Sequence, residues 1–198
     1  MMICAFLPQN RKGLSTSTCK PGAMSWRTAP LVLSLSLTAS PIMAEQKPLD
    51  AQTLIDSLNL EGHVEGGFYR RTYEATNQPR LDSDGDERCS MTSIFYLLTA
   101  EGPIGHFHKN RSDIVHYFHL GDPIEYVLIH PDGELETVVM GADPREGQLL
   151  QLMVPGGVWK ASRLTAGEHG YGLISEAVSP GFDCRDMTLG VTSKLLAT

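Results

Sequence analysis

The sequence of 198 residues is about one domain long, and its 41% hydrophobic content is sufficient for one buried core. Its formal net charge is −7 at pH 7. Four of the 16 basic residues and none of the 23 acidic ones precede position 45, so residues 45–198 hold 12 basic and 23 acidic residues, a net charge of −11. A chain this acidic repels phosphate backbones, and no nucleic-acid partner is expected.

The first 44 residues have the pattern of an export signal. Positions 29–44, APLVLSLSLTASPIMA, form an apolar run that ends in small residues and is too short to span a bilayer. The expected start is Met24, followed by Arg27, an apolar stretch at 31–37 and cleavage after Ala44. We therefore expect residues 1–44 to be a lead and signal peptide. Residues 45–198 are then a single periplasmic or secreted domain, with no membrane contact in the mature form.

The elements that follow predict an all-β domain with a short N-terminal helix. Asp50 can cap a helix over 51–58, where apolar residues fall at helical spacing. After that helix, short runs rich in β-branched and aromatic residues alternate with turn residues. These runs are 91–99, 114–119, 124–130, 135–140, 148–154 and 171–178. Many short strands without intervening helices favour an antiparallel sandwich or barrel, here a jelly roll over 88–190.

Four of the seven histidines lie in one strand-turn-strand region, PIGHFHKNRSDIVHYFHLG at 103–121. His106 and His108 are two residues apart, which in an extended chain predicts that both imidazoles leave the same face. Such a pair can hold a divalent metal or flank a small ligand. The alternative is two ordinary histidines on a solvated strand face. Cys89 and Cys184, the two cysteines after position 45, can be either bridged or free in an oxidising compartment.

Five segments together resemble the cupin-5 group, a cupin family of unassigned function. They are HVEGGFYRRTYE (63–74), TSIFYLLTAEGP (92–103), FHKNRSDIVHYFHLGDPIEYVLIHPDG (107–133), LMVPGGVWKAS (152–162) and SPGFDCRDM (179–187). They occur in the family's order over nearly all of residues 45–198. The resemblance implies a single cupin jelly-roll β-barrel, a homodimer, and a shape similar to the cupin epimerases that act on nucleotide sugars. It implies no particular reaction.

The resemblance is incomplete at the usual cupin metal ligands. Ile114 stands at the family's acidic position, His116 replaces a tryptophan, and Lys160 stands where the second motif would place a histidine. The remaining candidate ligands are His106 and His108, with His116 and Asp113 as possible additions. Two or three histidines can bind zinc, nickel or copper weakly, whereas the lost carboxylate disfavours a redox-active iron oxygenase. A divalent metal is thus one alternative, and no cofactor is required.

The other alternative is acid–base chemistry without a metal. The cupin template brings His108 and Lys160 to one site, and burial lowers the pKa of a lysine toward a range useful for catalysis. By resemblance, the HVEGGFYR motif places three polar side chains at the cavity mouth, with glycines that let the chain approach a ligand: Glu65, Tyr69 and Arg70. His116 and Trp159 complete the predicted ligand-binding set, although buried aromatic residues are common in cores.

Two functions remain open from the sequence. The first is an exported cupin enzyme, an isomerase or epimerase that acts on a small polar molecule, with a sugar derivative as one candidate. The second is a noncatalytic barrel that binds a small ligand or a metal. An export signal weighs against nucleotide sugars, which are made and used mainly in the cytosol.

Overall fold

The computed structural model describes residues 49–191, so the predictions for residues 1–44, the signal peptide among them, lie outside the described residues. This part of the chain forms one α-helix, α1 (Ala51–Leu58), and thirteen strands. The strands are β1 (Glu61–Gly62), β2 (Phe68–Glu74), β3 (Leu81–Ser83), β4 (Asp86–Arg88), β5 (Thr92–Thr99), β6 (Ile104–Asn110), β7 (Asp113–Gly121), β8 (Ile124–Ile129), β9 (Leu135–Met140), β10 (Gln151–Val154), β11 (Trp159–Leu164), β12 (Tyr171–Ser179) and β13 (Met187–Leu189).

Helix α1 begins and ends as its sequence predicts. The Asp50 carboxylate accepts a hydrogen bond from the Thr53 backbone N–H at 2.8 Å, which satisfies one of the free donors of the first turn. Asn59 ends the helix in the left-handed conformation. Leu54 packs with Leu97 and other apolar residues in a small second core beside the first sheet. No helix within residues 49–191 is long and apolar enough to cross a membrane.

Two antiparallel sheets form a jelly-roll β-sandwich of the cupin type. The first sheet has the order β1-β2-β5-β12-β7-β10, and the second has the order β13-β6-β11-β8-β9. The main core fills the space between them with residues such as Leu98, Tyr126, Leu128 and Ile174, all almost fully buried. The predicted all-β fold with a short N-terminal helix is therefore confirmed.

The sheet begins earlier in the chain than the predicted range of 88–190. Strands β1 and β2 join the edge of the first sheet, where β2 pairs with β5 over Phe68 to Glu74. The sequence of β2, FYRRTYE, does not show the hydrophobic alternation of a strand, because two of its central residues are arginines and four of its positions are exposed. Its pairing with β5, rather than its own hydrophobic periodicity, makes it a strand.

A buried ion pair fixes the segment that follows β12. The Arg88 guanidinium at the end of β4 donates two hydrogen bonds to the Asp186 carboxylate, at 2.7 and 2.9 Å. Asp186 belongs to a 3-10 turn, Cys184–Asp186, that is itself capped by Asp183. Planar, bidentate contacts of this kind fix both distance and orientation. The pair therefore holds in place the chain segment that forms one rim of the cavity described next.

Candidate functional site

A cavity of about 160 Å³ opens on the inner side of the first sheet. Strands β2, β5, β7 and β12 supply most of its wall, and the segment after β12 supplies part of its rim. The wall combines acidic, aromatic and aliphatic side chains: Glu61, His63, Glu65, Tyr69, Arg71, Thr92, Ile94, Asn110, Ile114, Glu176, Val178, Phe182 and Cys184. A concave site with few, convergent polar groups is typical of a small-molecule site.

The two glycines of the HVEGG segment allow the loop between β1 and β2 to lie against the sheets. A side chain at Gly66 would collide with the carbonyl oxygen of Ile104, and the φ of +96° at Gly66 favours glycine. The Tyr96 hydroxyl donates to the Gly66 carbonyl at 2.9 Å, and the His106 N–H donates to the Glu65 carbonyl at 2.6 Å. These contacts fix the backbone of Glu65, whose side chain enters the cavity wall and is 8% exposed.

Glu65, in the cavity wall, forms a buried pair with His108, which lies behind it. Oε2 of Glu65 lies 3.2 Å from Nε2 of His108. Nδ1 of His108 lies 2.8 Å from the His106 carbonyl oxygen, which can only accept, so Nδ1 carries the proton and Nε2 presents a lone pair. Burial raises the pKa of Glu65 to about 8 and lowers the pKa of His108 to about 3. At neutral pH a protonated Glu65 therefore faces a neutral imidazole and can donate to it.

His106 does not share the face of His108, so the expectation of paired imidazoles is wrong. Lys160 on β11 pairs with His108, but Ser162, two residues later, pairs with Gly105, so β6 carries one extra residue between these positions. This β-bulge reverses the alternation, which turns His108 inward and leaves His106 exposed. A side chain at Gly105 would collide with the Ser162 hydroxyl, so a larger residue on the inward side of the bulge requires that hydroxyl to move.

A second buried carboxyl group, Glu176 on β12, shares the cavity wall with Glu65. Burial alone would raise its pKa, but the positive charge of Lys160 holds the pKa below its usual range. Oε1 of Glu176 lies 3.5 Å from Nε2 of His116, a side chain with no solvent exposure. The cavity thus contains two carboxyl groups in opposite protonation states at neutral pH.

Three polar atoms in this region are buried without a hydrogen-bond partner among residues 49–191. They are Nε2 of His116, Nζ of Lys160 and Oδ1 of Asn110. Nδ1 of His116 lies 3.2 Å from the Leu152 carbonyl oxygen and so carries the proton, while burial lowers the pKa of His116 to about 4. Its Nε2 therefore presents a lone pair toward the Glu176 carboxylate. Neither of these two acceptors can donate to the other, and a ligand hydroxyl group in the cavity could donate to the Glu176 carboxylate.

The other predicted site residues separate into two groups. Tyr69 and Glu65 line the cavity as expected, whereas Arg71 takes the place predicted for Arg70. The reason is strand alternation, because Tyr69 points into the cavity and its two neighbours in the strand cannot. Trp159 is also not at the cavity: it is 2% exposed, and its ring lies under Nζ of Lys109, 4.9 Å from the ring centroid.

His108, His116 and Lys160 are brought together, but none of the three lines the cavity itself. They lie behind Glu65 and Glu176, where Lys160 is 2% exposed. The sequence interpretation missed Glu176 altogether. One feature of the sequence could have indicated Glu176: it is the single carboxylate in the mostly apolar strand β12, YGLISEAVS, and it stands at a position that faces inward.

The fold does not bring the predicted metal ligands together. The bulge separates His106 from His108, and Asp113 is exposed, with its carboxylate accepting a hydrogen bond from the Gly156 N–H. Among residues 49–191, no three His, Cys, Asp or Glu side chains are arranged to hold a metal ion. Lys160, a cation, would moreover repel a metal ion beside His108 and Glu176. Cys89 and Cys184 are both free in the structure.

Fold and site together define a single β-sandwich with a buried polar cavity between its sheets. The family model described as "Cupin superfamily (DUF985)" matches residues 52–190, and this chain belongs to that family.

Three relatives agree with that assignment. An uncharacterized protein of Saccharomyces cerevisiae is 39% identical over 155 residues, which cover 72% of this chain and 76% of the yeast protein. The structure of a hypothetical protein from Leishmania major has a TM-score of 0.70 at 34% identity, covering 75% of this chain and 92% of the other. A protein from Shewanella oneidensis has a TM-score of 0.67 at 36% identity, covering 76% and 90%. Their names state no activity.

Proposed function

We propose that this protein is an acid–base isomerase or epimerase that acts on a small polar, hydroxyl- and carbonyl-bearing molecule. One observation carries the proposal: Glu65 and Glu176 line the same cavity, yet their environments drive their pKa values in opposite directions. Paired groups with divergent pKa values are the arrangement that general acid–base catalysis requires, because one partner must hold a proton while the other accepts one.

In the proposed reaction, the Glu176 carboxylate removes a proton from the carbon that bears the ligand's hydroxyl group. The C–H electron pair forms a C=C bond, the carbonyl π-electrons move to oxygen, and that oxygen takes the proton of Glu65. The product is an enediol. To form an isomer, Glu176 returns the proton to the other carbon, the Glu65 carboxylate takes the O–H proton of the former alcohol, and the electrons of that O–H bond form the new C=O. To form an epimer, the enediol turns over in the cavity, Glu176 returns the proton to the original carbon from the opposite face, and Glu65 takes back the proton that it gave. Both carboxyl groups end in their starting protonation states.

The groups behind the two carboxyls have supporting roles. Without a ligand, the Glu65 proton is shared with the lone pair on Nε2 of His108, 3.2 Å away, and a bound carbonyl oxygen competes with Nε2 for that same proton. The positive charge of Lys160 keeps Glu176 ionised despite its burial. His108 and Lys160, which the sequence suggested as the catalytic pair, are therefore proposed as positioning residues. A low-dielectric surrounding strengthens both effects relative to water.

The test is exchange of carbon-bound hydrogen for deuterium. Hydroxyacetone in D₂O would be followed by proton NMR with the wild-type protein, Glu176→Gln and Glu65→Gln. We expect exchange catalysed by the wild type and a loss of about 100-fold or more in each variant, the usual scale for a general acid or base. The matched control is Glu134→Gln, which changes an exposed glutamate in the turn between β8 and β9. Equal exchange by Glu176→Gln would overturn the proposal.

Lys160→Met tests the proposed electrostatic support. It should shift the lower limb of the pH–rate profile toward higher pH, because Glu176 loses the charge that lowers its pKa. Lys109→Met is the matched control, since Lys109 lies on the opposite face of the same sheet, over Trp159. Activity should return at higher pH, where Glu176 is ionised without the help of Lys160. An unchanged pH–rate profile, or a folded Lys160→Met variant that stays inactive at every pH, would contradict the electrostatic role.

The second candidate is a noncatalytic barrel that binds a small ligand. The unpartnered atoms of His116 and Lys160 are as consistent with this noncatalytic function as with catalysis, because a bound molecule could pair with them without reacting. A ligand present at 100 times its dissociation constant stabilises a protein by about 2.7 kcal/mol, which a thermal shift detects. Stabilisation by hydroxyacetone without deuterium exchange would establish this second function.

We also propose that the protein is exported and acts as a homodimer. The charge pattern and apolar run of residues 1–44 support export, and the family resemblance supports the dimer. Exposed apolar side chains on the outer face of the first sheet, Tyr117 and Met153, are suited to a contact between copies. Light scattering of residues 45–198 should give twice the monomer mass, and Met153→Glu should lower it. A monomer at micromolar concentration would refute the dimer.

A further inference from the structure

One more polar side chain lines the cavity and has no role in the reaction described above. His63, in the loop between β1 and β2, forms part of the cavity wall together with Glu65. The His63 side chain is 15% exposed, so most of the ring lies against the protein and part of it stays open. What the open part can do depends on which ring nitrogen carries the proton.

The surrounding chain holds His63 in a fixed position. The His63 N–H donates to the Gly67 carbonyl at 3.0 Å, and the His63 carbonyl accepts from the Gly66 N–H at 3.1 Å. The imidazole packs edge-on against the ring of Tyr69, with the ring centroids 4.5 Å apart, and lies 6.2 Å from the ring of Tyr96. A side chain that is held in this way needs little reordering when a ligand binds.

A hydrogen bond at Nδ1 determines the tautomer of His63. Nδ1 lies 3.3 Å from the backbone nitrogen of Glu65, whose N–H can only donate, so Nδ1 accepts and Nε2 carries the proton. Burial lowers the pKa of His63, which keeps the ring neutral at neutral pH. Oε2 of Glu65 lies 3.6 Å from Nδ1, beyond hydrogen-bond distance, so the Glu65 carboxyl does not compete for this nitrogen.

The protonated nitrogen, Nε2, is free to bind a ligand. It has no hydrogen-bond partner among residues 49–191, and it is not one of the fully buried polar atoms that lack a partner there. Because His63 lines the cavity, this N–H is accessible from the cavity. His108 and His116, by contrast, carry their protons at Nδ1 and lie behind the wall. Within the described part of the chain, His63 is therefore the imidazole that offers the cavity a donor.

We propose that His63 is a catalytic residue that donates a hydrogen bond from Nε2 to the carbonyl oxygen of the ligand. This inference rests on the proposed function and adds a residue to it. When Glu176 removes the carbon-bound proton, negative charge develops on that oxygen. The oxygen has one lone pair for the proton of Glu65 and another for the N–H of His63. His63 keeps its own proton throughout, so the proton balance between Glu65 and Glu176 is unchanged.

The experiment separates the two ring nitrogens of His63 by substitution. His63→Asn places an amide oxygen near the position of Nδ1, where it can accept from the Glu65 N–H, and leaves no donor at the position of Nε2. His63→Gln keeps a donor near the position of Nε2 and loses the acceptor. Deuterium exchange into hydroxyacetone would be measured for both variants. We expect kcat to fall by about 100-fold or more in His63→Asn, with a smaller change in KM, and by less than about tenfold in His63→Gln.

The matched control is His119→Asn, which changes an exposed histidine of β7 that does not line the cavity and should leave exchange at the wild-type rate. Wild-type exchange by a folded His63→Asn, beside an inactive Glu176→Gln, overturns the inference and leaves the proposed function standing. A loss in His63→Gln as large as that in His63→Asn also overturns it, because Nδ1 is then the nitrogen that matters. A wild-type protein without exchange overturns the proposed function and the inference together.

A measurement on the wild type does not depend on how the variants fold. Nitrogen-15 NMR should find the His63 ring protonated at Nε2. The signal of this proton should move downfield when acetohydroxamate, a planar analogue of the hydroxyacetone enediol, is added. A ring protonated at Nδ1, or a signal that does not move, overturns the assignment of His63 as a catalytic residue.

Discussion

Replacing Glu65 by glutamine should remove a large pH dependence from the stability of this protein. Burial raises the pKa of the Glu65 carboxyl from 4.5 to about 8. Between these two values the folded protein holds a proton that the unfolded chain has released. The stabilisation from this proton is fully present below pH 4.5 and is lost as the pH rises through 8, so the free energy of unfolding falls across this window.

The size of the effect follows from the span between the two pKa values. Each pH unit is equivalent to about 1.4 kcal/mol, and the span from 4.5 to about 8 gives about 5 kcal/mol in all. Glutamine resembles the protonated carboxyl in shape, can donate to Nε2 of His108 and cannot ionise. The stability of Glu65→Gln relative to the wild type should therefore rise by about 1.4 kcal/mol for each pH unit within this window and level off above pH 8.

The measurement is urea unfolding at several pH values from 5 to 8.5, followed by fluorescence of the buried Trp159. Taking the difference between variant and wild type cancels the contributions of the other titrating groups, provided that m-values agree. The control, Glu134→Gln, changes an exposed glutamate remote from the cavity and should run parallel to the wild type. A difference for Glu65→Gln that stays constant over this range would refute the assignment of a protonated Glu65.

Three further predictions concern other parts of the chain. The pKa of His116, lowered to about 4 by burial, predicts that its imidazole NMR signals stay constant from pH 8 to 5, and a midpoint between 6 and 7 would contradict this. Gly105→Ala should lower the free energy of unfolding by about 1–3 kcal/mol because its methyl group meets Ser162, whereas Gly102→Ala, where the nearest atom is 3.8 Å away, should cost far less in urea titrations. Mass spectrometry of the exported protein should find an N-terminus near Glu45, and an intact N-terminus would refute the signal peptide.

The sequence by itself determined the fold. The cap at Asp50 and the apolar stripe after it predicted α1, and the alternating runs predicted the strands that became β5, β7, β8, β9, β10 and β12. These elements could be predicted because their own side chains carry the required period, which depends only on which face is buried. The ordered motifs indicated the family as well.

Only the tertiary structure decided which side chains form the site. The bulge in β6 separates His106 from His108. No local pattern in IGHFHKN predicts this bulge, because the extra residue is defined only by the register of β6 with β11. Register likewise placed Arg71 at the cavity and Arg70 away from it. Glu176 became a catalytic candidate only when β12 packed between β5 and β7, beside Lys160. The charge states of these side chains and the distances between them depend on burial among residues that are far apart in sequence, so local sequence patterns do not predict them.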